Sequence, residues 1–157
     1  MMSLQSPLEV EPVTEPAPPS PFDKVADVAL RVAGGIIAVI AALATGVLEL
    51  MLAQVRVGGY LIGVSVVAAV VLNMLLGWFA YATVGRKWAI ALPAACWIVL
   101  MMVASGRTTE GDLLLVGPQG NAVVDANSWV GLTMIFAGSI AFAVIGFRLM
   151  LASTRRV

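Results

Sequence analysis

Residues 57–85 read VGGYLIGVSVVAAVVLNMLLGWFAYATVG, without one charged side chain, and are followed at once by Arg86-Lys87. A hydrocarbon core about 30 Å thick needs roughly 20 helical residues, so this stretch is long enough to cross a bilayer. Three more uncharged runs occupy 32–48, 88–106 and 128–147. The expected fold is therefore an all-α membrane protein with four transmembrane helices in an antiparallel bundle. The spans are placed at about 29–54, 60–84, 88–105 and 128–151.

The basic residues set the expected orientation. Lys24, Arg31, Arg86, Lys87, Arg148, Arg155 and Arg156 fall in alternate gaps, and only Arg56 and Arg107 fall in the others. Basic residues favour the cytoplasmic flanks, so both termini are predicted to be cytoplasmic in a multi-pass inner (plasma) membrane protein. Tyr60 at one end of span 2 and Trp78, Phe79 and Tyr81 at the other suit the two aromatic belts. Trp88 and Trp129 are expected at the inner and outer interfaces.

The 157 residues are 61% hydrophobic and 11% charged, far from the mixture of a soluble domain. We divide them into a tail, 1–23, and a four-helix domain, 24–157. Residues 1–22 hold six of the eight prolines and lack the basic start and apolar core of a signal peptide. Such a segment buries too little apolar surface to offset its ordering entropy, so the tail is expected to be disordered. It either solvates the chain or docks a partner. Asp27 is expected to serve the start of span 1. Pro93, one turn into span 3, should kink that helix or start it late.

The loop 106–127 is expected on the outer face. Its Leu113–Val116, Gly117-Pro118-Gln119-Gly120 and Asn121–Val124 segments read as strand, turn and strand. A small extracytoplasmic β-hairpin between helices 3 and 4 is predicted. Alone it would be marginal, so it should pack on the helices or on another protein.

Little of this chemistry suits catalysis. With no histidine, His-ligated haem, the common zinc and copper sites and His acid–base catalysis are excluded. Cys96 is the single cysteine, so no intrachain disulfide forms. No phosphate-binding glycine loop, metal-ligand cluster or activated nucleophile is present in the sequence. Glu110, Asp112 and Asp125 match no calcium loop. We expect no cofactor, no enzyme activity and no nucleic-acid partner, since no basic surface lies outside the membrane flanks.

Two polar residues lie within spans. Glu49 sits about 10 Å along the axis from Arg56 if the helix continues that far. It is read as an ion pair with Arg56 or Arg107, a subunit contact, or a proton or cation site. Asn73, deep in span 2, is read as an interhelical hydrogen bond. Thr45, Ser65, Thr133 and Ser139 are weaker cases, able to bond back to their own helix. Small residues mark candidate helix-packing faces: Gly34, Ala38, Ala42 and Gly46 on span 1, Gly59 and Gly63 opening span 2, and Gly138 and Gly146 on span 4.

The stretch Gly106-Arg107-Thr108-Thr109-Glu110-Gly111-Asp112-Leu113, with the Ala/Val/Gly-rich four-span plan, resembles uncharacterised actinobacterial small integral membrane proteins. The plan is also similar to accessory (association-factor) subunits of mycobacterial-type respiratory supercomplexes, by size and architecture. The function expected is a non-catalytic accessory subunit of a larger inner-membrane complex, with a respiratory electron-transport supercomplex as host. Its partners would be other integral membrane subunits and the lipid bilayer. The alternative is a small oligomeric transporter or channel using Glu49.

Overall fold

A computed structural model describes residues 20–106, 115 and 128–154. It contains α1 (Pro21–Leu52), β1 (Arg56–Val57), β2 (Tyr60–Leu61), α2 (Val64–Val84), a 3-10 turn (Lys87–Ile90), α3 (Ala91–Ala104) and α4 (Trp129–Thr154). Four segments, α1, α2, the 3-10 turn with α3, and α4, are long and apolar enough to cross a membrane.

α1 starts at Pro21, earlier than the expected 29 and within the segment assigned to the tail. The cause is local. Ser20 Oγ accepts from the Asp23 N–H at 3.2 Å, and Asp23 Oδ2 accepts from the Ser20 N–H at 2.9 Å. This reciprocal box satisfies two otherwise unpaired donors, and Pro21 suits the first helical position. Asp23 thus takes the role expected of Asp27, which instead accepts from Arg31 Nε one turn on, at 2.8 Å. The 32 residues of α1 extend about 48 Å, well beyond one hydrocarbon core.

Span 2 differs at its start. Tyr60 lies in β2, paired with Val57, and the helix begins only at Val64. Gly58 and Gly59, with φ of 59° and 85°, make the two-residue turn between the strands. Two consecutive left-handed residues match the twist of a tight hairpin, a conformation costly for any residue with a Cβ. The remaining 21 residues of α2 still span about 32 Å. The hairpin expected at 113–124 lies outside the described residues.

Span 3 begins with the 3-10 turn, and its α-helix starts late, at Ala91. Pro93 falls in the first α turn, where a missing N–H is least costly. Turn and helix together cover about 29 Å.

Contacts at small residues give the relative directions. Gly34 of α1 meets Thr83 near the end of α2, and Ala38, one turn later, clusters with Ala80, about one turn earlier, so these helices run oppositely. Gly63 meets Trp129, and Gly77 meets Phe142 and Ile145, so α2 and α4 run the same way. Gly35 approaches Leu92 and Gly46 approaches Trp97 and Leu100, so α3 runs with α1. The core joins Ala42, Ala69, Leu76, Trp97, Met101, Met134 and Phe142 from all four helices. The outer faces are as apolar as the core: Phe136, Ile140 and Met102 are 68%, 60% and 71% exposed. Water would not tolerate so much uncovered apolar surface, whereas lipid does.

Candidate functional site

Trp97 is the hinge of the interior. It projects from α3 and is fully buried between two glycines, Gly46 of α1 and Gly138 of α4. A Cβ on Gly138 would stand 2.6 Å from Trp97 Cη2, and one on Gly46 would stand 2.5 Å from Leu100 Cδ2. The approach at Gly138, against a rigid ring, needs a residue with no side chain, whereas at Gly46 the Leu100 methyl could turn aside. Phe142 of α4 meets the indole edge-on, with centroids 6.1 Å apart and planes at 61°.

The indole carries a polar handle. Trp97 Nε1 donates to Glu49 Oε2 at 2.8 Å, and Glu49 is fully buried. Glu49 stands in the last turn of α1, where its carbonyl accepts the Ala53 N–H at 2.9 Å. Among the described residues, the hydrogen bond to this carboxylate comes from an indole. Arg56 belongs to the hairpin, where its Nη1 donates to the Gly59 carbonyl at 3.5 Å, and Arg107 lies outside the described residues.

Asn73 enters the same region from α2. Its Nδ2 is 2.8 Å from where a Gly138 Cβ would stand. The glycine therefore admits both the tryptophan ring and the amide. Glu49 Oε1, both polar atoms of Asn73 and the Ser65 hydroxyl are buried without a hydrogen-bond partner among the described residues. The interhelical bond expected of Asn73 is not among those seen. Thr45 bonds back to the Ala41 carbonyl at 2.9 Å.

The other small residues separate by role. Gly34 admits Thr83, and Ala38 is buried beside Ala80, Val84 and Ala89. Ala42 joins the cluster around Trp97. Gly34, Ala38, Ala42 and Gly46 thus pack within the chain's own bundle. Gly59 serves the hairpin turn, and Gly63, at φ 66°, precedes α2 and faces Trp129. A Cβ added at Gly146 would meet no other element within 4 Å among the described residues.

In sequence, Trp97 is one large apolar residue among the others of span 3. Its signal was available in part, because a buried indole N–H generally finds an acceptor. Which acceptor it finds depends on α1 and α3 lying side by side. Chemically, the site offers a buried carboxyl group whose Oε2 accepts from the indole and whose Oε1 has no hydrogen-bond partner among the described residues. Among the described residues no group of three His, Cys, Asp or Glu side chains gathers to hold a metal. Comparison with protein-family models, curated proteins and solved structures finds no match to this chain.

Proposed function

We propose that the chain is a non-catalytic accessory subunit of a larger inner-membrane assembly, with both termini in the cytoplasm. Supporting the orientation, Arg31 Nη1 reaches the Val84 carbonyl at 3.1 Å, so Arg31 shares an end of the bundle with Arg86 and Lys87. Arg56 belongs to the hairpin at the opposite end. The observation carrying the accessory reading is the division of polar and apolar surface. Glu49 and Asn73 are shut inside the bundle beside Trp97, while the outward faces of the helices offer apolar contact. On α4 that face includes Phe136, Ile140 and Phe147, and half-buried Gly146 lies at its edge, where another helix could approach.

A respiratory electron-transport supercomplex is the host suggested by the resemblance in size and plan. Purification in mild detergent should recover stoichiometric partner chains. Gly146→Leu should weaken that recovery without unfolding the protein. A homogeneous particle carrying no second chain overturns the reading.

The second reading, an oligomeric transporter or channel, is favoured by one feature: the free oxygen of buried Glu49. Vesicles containing the protein would then pass protons or cations, and Glu49→Gln would stop the flux. Absence of flux in the wild type removes it.

A further inference from the structure

A groove of about 510 Å³ runs along the outside of α1, within the size range of small-molecule sites. Its walls are Val32, Ile36, Val39 and Ile40 of α1, with Leu92 of α3 opposite. One end alone is polar, formed by Arg31, Arg86 and Trp88. Along α1 the groove extends from Val28 to Ile40, about 18 Å, of which the part from Arg31 to Ile40 is about 14 Å. That is roughly half of a hydrocarbon core about 30 Å thick, the depth of one leaflet.

We propose that this groove binds one anionic phospholipid, its phosphate between Arg31 and Arg86 and an acyl chain along α1. The complementary charge comes from Arg86, because the Asp27 carboxylate already pairs with Arg31 and leaves it to donate hydrogen bonds. Arg31 is held in place by Asp27 and by the Val84 carbonyl. Arg86 is exposed, and among the described residues no hydrogen bond or ion pair occupies its guanidinium. A guanidinium presents paired donors that match phosphate oxygens. The Trp88 indole, 59% exposed, sits at headgroup level beside them. Length argues against a transmembrane helix as occupant, since such a helix would run through both leaflets. Basic pockets between helices at a membrane face are the usual chemistry of acidic headgroup recognition.

The groove continues the lipid-facing surface, so the proposal stands whichever reading of overall function holds. Full-length protein in mild detergent, titrated with dioleoyl phosphatidylglycerol or dioleoyl phosphatidylcholine, tests it by native mass spectrometry. The wild type should retain one phosphatidylglycerol in preference to phosphatidylcholine. Arg86→Gln should lower phosphatidylglycerol retention about fivefold, the effect of one basic side chain at a membrane surface, and leave phosphatidylcholine unchanged. Gly35→Leu should reduce retention of both lipids. A Cβ at Gly35 makes only ordinary contacts, 3.8 Å to Val84 Cγ2 and 3.9 Å to Leu92 Cδ1, so the added side chain enters the groove rather than the core. Equal retention of the two lipids by the wild type overturns the proposal. So does wild-type retention in both variants, which would mark the bound lipid as nonspecific annular lipid.

Discussion

Gly138 and Gly146 lie about two turns apart on α4 and look alike in sequence, yet the bundle treats them oppositely. Gly138 is buried against the Trp97 ring and the Asn73 amide, while a Cβ at Gly146 would meet no other element within 4 Å among the described residues. A glycine in an apolar helix marks a close approach only where a large side chain stands opposite. The contrast separates an internal seam, which holds the chain together, from an outer face left for lipid or a partner.

The largest effect should come from filling the seam. Gly138→Leu should destabilise the protein by about 3 kcal/mol, the upper end of overpacking costs, because ring and amide must both shift. Thermal melting in detergent would measure it. A wild-type melting temperature would erase the distinction between the two glycines.

Next is the bond the seam makes possible. Trp97→Phe leaves Glu49 Oε2 without its donor and should cost about 1–3 kcal/mol. In a Glu49→Met background, which leaves the indole no oxygen acceptor, the same change should cost about 1 kcal/mol less. A double-mutant cycle by denaturant titration reads this coupling. Additive costs would show that Trp97 acts by packing alone.

The hairpin comes third. Gly59→Val places a branched side chain at φ 85° and should cost about 1–2 kcal/mol, although a Cβ there touches nothing. This would show that Gly59 is required by backbone conformation, whereas Gly138 is required by space. A neutral effect on the melting temperature would remove that difference.

Smallest should be Gly146→Leu, within about 0.5 kcal/mol for a substitution away from packed features. Its melting temperature should match the wild type even where recovery of partner chains falls. A large thermal shift would place Gly146 in an internal contact and close the outer face.

Much of the architecture was readable before any packing was known. Four uncharged runs bounded by Arg31, Arg86-Lys87, Arg107 and Arg148 are sufficient to predict four long apolar helices. The smaller elements were less readable. Gly58-Gly59 between Arg56-Val57 and Tyr60-Leu61 carries a two-residue hairpin signal, but it is hidden inside an apolar run that reads as helix. The Ser20–Asp23 box was likewise hidden by the neighbouring prolines.

By itself, the sequence determined helix number and the regions that bound them, because charges are costly in hydrocarbon wherever the helices pack. Only tertiary structure decided what the polar residues inside do. Glu49 and Trp97 are distant in the chain, and which side chain faces a carboxylate depends on helix rotation and pairing. Gly138 permits that pairing by letting α3 insert one large ring against α4, where a Cβ would clash with the indole. The same packing separates the glycines of the seam from Gly146 on the outer face.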